Sequence, residues 1–242
     1  MAKLSNLATR IWFDEFDFSG ELNSSEQEVL PEIIKTNTFS DTGPRAIEGN
    51  YDHRHTDIGF FDASTDFMDE ELFASLNEGA DHFLTKLWGD NAEGSPAYDF
   101  VVRVNSQPLS GKIGDAVLRQ FSCMGSAGCA RGVILANVTT TGAENRTCRN
   151  MGATAAGKLF AVIFRVFTFD GTDITLKIQE STDDAAADAY ADITGLTSGA
   201  LTAKGVVRAT TVAATEAWKR CVVSGTFTSA VIGVTAGVVA GT

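Results

Sequence analysis

Apolar and polar residues alternate most cleanly between Ile174 and Gln179, where Ile174, Leu176 and Ile178 fall on one side of an extended chain and Thr175, Lys177 and Gln179 on the other. That period of two marks a strand with one buried face. The segment before it, Phe160 to Phe169, is apolar almost throughout apart from Arg165 and Thr168, as expected of a strand covered on both faces. Asp170-Gly171 lies between the two segments. Asp and Gly tolerate the positive φ of tight hairpin turns, so the pattern predicts a long β-hairpin over Phe160 to Gln179.

Elsewhere the pattern is weaker. Ala8 to Phe18 reads as a first strand, with Ile11, Phe13, Phe16 and Phe18 as core candidates and Asp14, Glu15 and Asp17 interrupting it. Glu21 to Ile34 has no clean period, and Lys35 to His55 is polar and turn-rich, with Thr42-Gly43-Pro44 and Gly49-Asn50 as punctuation. A long loop is expected there, and a structureless stretch of that length usually has a job. After a short strand at Thr56 to Phe61 comes a helix capped by Thr65 or Asp66, with acids at Asp69 and Glu70 and an end at Gly79. Its apolar stripe is Phe67 or Met68, then Leu72, Phe73 and Leu76, which lays it on a sheet. In Asp81 to Trp88 the positions of Phe83, Leu84, Leu87 and Trp88 favour helix over strand.

Tyr98 to Asn105 alternates as a strand, and Val117 to Met124 with Arg131 to Val138 makes a second hairpin around Gly125-Ser126-Ala127-Gly128. Thr139 to Ala156, rich in Thr, Gly and Asn, is the expected boundary between halves. Beyond the anchor hairpin, Asp183 to Asp188 is an acidic loop, and Ala189 to Ile193 leads to turns at Gly195 and Gly199. Strands follow at Val206 to Val212, Trp218 to Val223 and Phe227 to Val239. The fold class is mainly β: two sandwich- or barrel-like domains, residues 1–140 and 141–242, with one helix packed on the first.

The halves echo one another. Phe16-x-Phe18-x-Gly20 and Phe167-x-Phe169-x-Gly171 share a spacing of 151 residues (167 minus 16), and Leu118 to Cys123 sits beside Trp218 to Val223 in the same way at a different offset. A structural duplication is the expectation.

Composition agrees with β: the 242 residues include 23 Gly and 16 Phe but only 4 Pro. A net charge of −12 repels nucleic-acid phosphates, which argues against a DNA-gripping protein and suits solubility or a wall that DNA passes. Cys123, Cys129, Cys148 and Cys221 form no CxxC pair, so reduced thiols are expected in place of a zinc site. Met1 to Arg10 lacks a secretory-leader pattern, and the apolar run Ala230 to Gly241 is too short to span a bilayer. The sequons at Asn137 and Asn145 are therefore expected to carry no sugar.

Candidate chemistry is sparse. Asp52-His53-Arg54-His55-x-Asp57 is the one cluster with metal-ligand residue types: on a strand His53, His55 and Asp57 point to one side. At the end of a loop, a solvated or interface-forming run is the stronger reading. His82 reads as a helix-surface histidine. No Ser or Cys stands in a nucleophile elbow, no glycine cluster precedes a helix, and acids such as Asp69 to Glu71 and Asp183-Asp184 read as solvated. No catalytic, cofactor-binding or metal residue is therefore assigned, and no enzyme activity is expected.

Taken together, the chain resembles the tail tube (major tail) proteins of long-tailed bacteriophages. The residues that bear this are Phe16-Asp17-Phe18-Ser19-Gly20, the step Thr36-Asn37-Thr38-Phe39-Ser40-Asp41 and Thr56-Asp57-Ile58-Gly59-Phe60-Phe61-Asp62 before the helix. In the second half they are Phe167-Thr168-Phe169-Asp170-Gly171, Leu176-Lys177-Ile178-Gln179-Glu180-Ser181 and Trp218-Lys219-Arg220-Cys221. The resemblance implies β-sandwiches that join between neighbours into stacked rings, in the virion, around a tape measure protein. A tail terminator ends the stack, and DNA passes through the lumen without specific binding. Such proteins commonly form hexameric rings. With two tube domains per chain, a trimer makes a pseudo-hexamer. The loop Lys35 to His55 is the expected stacking contact. A capsid decoration protein is the alternative reading. A carbohydrate-binding module, with exposed rings at Trp88, Tyr98, Tyr190 or Trp218, is the third.

Overall fold

The computed structural model describes residues 9–35, 46–61, 68–89, 91–112 and 115–240. Its elements are β1 (Arg10–Phe13), β2 (Phe16–Asp17), β3 (Leu22–Lys35), β4 (Ala46–Phe60), α1 (Met68–Glu78), β5 (His82–Leu87), β6 (Pro96–Ser106) and β7 (Leu109–Ser110). They continue with β8 (Leu118–Thr140), β9 (Glu144–Asn145), β10 (Arg149–Asn150), β11 (Phe160–Ser181), β12 (Ala191–Leu201), β13 (Gly205–Thr211) and β14 (Trp218–Val239). The fold is mainly β. All fourteen strands belong to one antiparallel sheet in the order β12-β11-β14-β8-β6-β5-β1-β2, with β3 and β4 joined to β8 and β13 to β11.

The spine of the sheet is a pair of 22-residue strands, β11 and β14, matched from Phe160↔Val238 to Ser181↔Trp218. This corrects two expectations. Phe160 to Gln179 is not a hairpin but one strand, and Trp218 to Val239 is one strand, not two. Each arm of the expected hairpin finds its partner in β14. Asp170-Gly171 falls at register shifts in the pairing, where Gly171 lets the strands close up: a Cβ there would lie 2.4 Å from Phe227 Cα. Gly225 opposite, at φ 126°, completes the bend.

The hairpin expected around residues 125–128 is likewise a continuous strand. One edge of β8 is lined by β6; along the other, β4 pairs with residues 118–124 and β14 with residues 130–140. Glycine marks the handover because neighbours crowd it. A Cβ at Gly125 would meet the His53 ring at 2.7 Å, and one at Gly128 would meet Val239 at 2.8 Å.

Further expectations change. Residues 82–87 are strand, not helix, because their six-rung pairing with β6 and the burial of nearly every side chain override a weak helical spacing. The first strand breaks at Asp14, at φ 47°, into the tight β1–β2 pair. Residues 46–55 of the expected loop are strand: β3 and β4 pair from Leu22↔Gly59 to Lys35↔Ala46, while residues 36–45 lie outside the described residues. Gly195 and Gly199, expected as turns, are left-handed points inside β12. Helix α1 is present over Met68–Glu78 and ends at Gly79, φ 61°, while both proposed caps lie outside the described residues. It packs on β6 through buried Leu72, whereas Phe73 is 60% exposed and leaves the expected stripe.

Burial divides the apolar residues. One cluster gathers Ile11, Phe13, Leu84, Phe100 and Phe121 under α1; the other gathers Phe160, Phe164, Leu176, Ile232 and Val234. Trp12 points to the opposite face from Ile11 and Phe13 and joins Leu87, Ala97 and Ile134 in a small third cluster against Phe167. The two ends of the sheet path are thereby folded toward one another. Cys123, Cys129 and Cys221 are buried free thiols and Cys148 is a half-buried one.

Candidate assembly surface

The unusual feature is the β3–β4 ribbon. Residues 54–60 of β4 are held between β3 and β8, but the rungs from Val29↔His53 outward to Lys35↔Ala46 have no third strand among the described residues. Isolated two-stranded ribbons are marginally stable, so a projecting one gains from a partner. The outer edge of β3 is likewise unpaired among the described residues, and it contains Pro31, which has no N–H to offer a ladder and suits an edge strand. Leu30 on that strand is 48% exposed.

A buried polar group fixes the root of the ribbon. Lys86 on β5 is fully buried and donates to Asp57 Oδ1 at 2.8 Å, Ser25 Oγ at 3.0 Å and the Glu26 carbonyl at 2.7 Å. Three acceptors match the three N–H bonds of an ammonium. Burial lowers the Lys86 pKa and raises that of Asp57, and the contact between them opposes both shifts. The three-acceptor geometry serves the ionised pair. Trp88 adds a bond from Nε1 to Gln27 Oε1 at 3.0 Å. β5 therefore grips β3 and β4 at residues 25–27 and 57.

The expected metal run lies on β4 with the orientation inferred from its spacing: His53, His55 and Asp57 are buried on one side, while Arg54 is exposed. Their partners are protein groups. His53 Nε2 lies 2.8 Å from the Ala127 carbonyl, which only an N–H can satisfy, so its Nδ1 accepts from His55 Nε2 at 3.1 Å. His55 packs on Phe100, with ring centroids 4.2 Å apart. Burial, with Lys86 and His53 nearby, lowers its pKa to about 2; burial lowers that of His53 too. Both rings are neutral. Among the described residues no group of three or more His, Cys, Asp or Glu is placed to hold a metal ion.

His82 corrects its expectation: it is buried on β5, with Nδ1 2.7 Å from Asp14 Oδ2, and stacks on Phe13. Of the acids read as solvated, Asp69 pairs with Arg119, and Asp183 accepts backbone N–H bonds from Ala186, Ala187 and Asp188, which hold its pKa down. Trp88, Tyr98, Tyr190 and Trp218 are each half-buried rather than exposed. Tyr98 is paired with Arg131, and Tyr190 with Asp184 and Arg220.

The two Phe-x-Phe motifs meet in space. Phe16, Phe167 and Phe169 line one cavity of about 600 Å³, together with Glu15, Asp17, Asp170 and Gly171, and Lys204 lies 4.6 Å over the Phe16 ring. Sequence reading found both motifs and missed their contact, as well as the Lys86–Asp57 pair. A lysine among Phe83, Leu84 and Leu87 was the available signal. No helix among the described residues is long and apolar enough to cross a membrane.

No family model matches the chain, and no curated protein sequence matches it. Among solved structures, the chain is similar to a component of the virion of the native gene transfer agent particle, at 9% identity and a TM-score of 0.45 over 53% of this chain and 98% of that one. It is similar to the tail tube of phage SPP1 at 9% identity and a TM-score of 0.42, over 52% and 77% of the two chains. It is also similar to the SPP1 Dit protein, described as a hub adsorption apparatus in phages infecting Gram-positive bacteria, at 10% identity and a TM-score of 0.38 over 95% and 99%.

Proposed function

We propose that this chain is a structural wall protein of a phage tail tube, which polymerises with copies of itself into stacked rings around a hollow lumen. The observation that supports this most is the β3–β4 ribbon, which runs beyond any third strand among the described residues and is rooted by the buried Lys86–Asp57 pair. A rigidly rooted arm with an open edge is suited to pairing with a neighbouring copy. Of the expected stacking segment, Lys35 to His55, residues 46–55 belong to the β4 strand of this ribbon.

The rest of the reading follows from this one. A sheet whose path ends at β12 and β2 without closing leaves edges for neighbours to cover. Each half of the chain, residues 1–140 and 141–242, supplies one wall segment, so three copies complete a six-segment ring. The net charge of −12 suits a lumen past which DNA slides without sticking. A tape measure protein inside the stack and a terminator at its end are the partners this role requires. The protein has a structural role in the virion and no catalytic one.

Deleting residues 29–53 tests the arm. The shortened chain is expected to keep the far-ultraviolet circular dichroism of a β protein and to sediment as single rings or protomers, without tubes. Tubes of normal length from that variant would refute the stacking role.

A further inference from the structure

Five buried polar residues meet where the two halves touch. Thr85 on β5 and Thr235 on β14 both donate to Asp99 Oδ1 on β6, the second at 2.7 Å. Arg165 on β11 reaches across with Nε on the Asp14 carbonyl at 2.7 Å and Nη2 on the Phe83 carbonyl at 3.0 Å. Its guanidinium carbon lies 5.7 Å from the Trp12 ring centroid. Arg165, Trp12, Thr85 and Thr235 are 0% exposed and Asp99 is 3% exposed.

Three polar atoms of this group have no hydrogen-bond partner among the described residues: Arg165 Nη1, Trp12 Nε1 and Asp99 Oδ2. They come from three different strands. Trp12 is opposite Thr85 and Thr85 is opposite Asp99, so the backbones of Trp12 and Asp99 stand two strand spacings apart, about 10 Å, with both side chains on the face that Thr85 occupies between them. Buried groups of this kind are seldom left alone, because leaving a buried donor or acceptor unsatisfied costs more than a made bond contributes. Arg165 and Asp99 attract one another without a direct bond.

We infer that the seam holds an ordered water molecule that accepts from Arg165 Nη1 and Trp12 Nε1 and donates to Asp99 Oδ2. The hydrogen-bond inventory favours water over any other small ligand. Two N–H donors and one carboxylate oxygen match two lone pairs and one O–H, leaving the second O–H for an added bond. An anion is disfavoured by Asp99 and a cation by Arg165. The site would join strands β1, β6 and β11, making the two halves one rigid body.

The test uses the full-length chain, free or assembled, labelled with ¹⁵N in its indoles. The double variant Trp88→Phe, Trp218→Phe removes the two half-buried indoles and leaves the Trp12 Nε1–H signal alone. Water-edited, proton-detected magnetic resonance is expected to show transfer from a long-lived water to this proton, while the proton itself exchanges with deuterium over hours or longer. No transfer from water to an exchange-protected Trp12 proton would overturn the inference, and so would rapid exchange showing that the site opens to bulk solvent. Should the double variant fail to fold, the same transfer is read in the wild type, with Trp12 assigned as the most slowly exchanging indole.

Discussion

Arg165 Nε donates to the backbone carbonyl of Asp14 at 2.7 Å, across 151 positions of sequence. The bond ties the turn that opens the first Phe-x-Phe motif to the strand that carries the second, so motifs that echo one another in the sequence also lie together. Around it, Trp12 meets Phe167 edge-on with centroids 5.3 Å apart, and Gly233 makes room, since a Cβ there would meet Phe167 at 2.7 Å.

Replacing Arg165 with Met removes the cation and leaves two carbonyls and Asp99 buried without it. The expected loss is about 3–5 kcal/mol of unfolding free energy, the usual result of breaking a buried charged network from one side. Urea denaturation checks it. A loss below about 1 kcal/mol would mean that the seam does not hold the halves together.

Lys86→Met strands Asp57 in a site with no exposure, and a loss of similar size, roughly 3–5 kcal/mol, is expected. The double variant Lys86→Met, Asp57→Leu should recover a large part of it. Hydrogen exchange adds a local reading: amides of residues 25–27 and 54–58 should exchange faster in the single variant than those of β11. Uniform acceleration would argue against a role specific to the ribbon root.

The histidines make stability fall in acid. His55 titrates near 2 in the fold against about 6.5 unfolded, and His53 shifts the same way. Between those values the unfolded chain binds more protons at His55, so this ring lowers stability as pH drops below about 6.5, by at most ~1.4 kcal/mol per pH unit, and His53 acts in the same direction. Above that range the contribution is fully present. The urea midpoint should fall from pH 7.5 to pH 5, and His55→Phe should flatten the slope by about one proton. An unchanged slope in the variant would contradict the neutral, buried ring.

Much of the fold was legible in the sequence where one face is wet and the other dry. The alternation at residues 174–179 and 98–105 gave strands, and the same alternation placed His53, His55 and Asp57 on one side of β4. What misled was glycine. Asp170-Gly171 and Gly125 to Gly128 carry the chemistry of turns, yet in a strongly bent sheet the same freedom serves bulges and the close approach of Phe227 to Gly171, His53 to Gly125 and Val239 to Gly128, neighbours far away in the sequence. The ribbon was illegible for a related reason: its strands pair from Leu22↔Gly59 to Lys35↔Ala46 over a stretch whose sequence has no hydrophobic period. The burial of Lys86 and Arg165 depends on acceptors from other strands, which the sequence alone does not place.

Gly132 tests the bend directly. A Cβ there would lie 1.7 Å from the Ala236 carbonyl oxygen, a backbone atom that cannot swing aside. Gly132→Val is expected to abolish soluble folded protein or to cost more than about 3 kcal/mol, whereas Gly142→Ala, with nothing within 4 Å, should change little. Comparable stability for the two variants would contradict the β8–β14 register.

The most direct measurement is electron microscopy of the purified protein at high concentration, with class averages of end-on views. Hollow rings or tubes built from three copies, each contributing two similar wall segments, are the predicted result. Compact monomers or solid trimers without a lumen, at concentrations where the chain is folded, would contradict the tube-wall account.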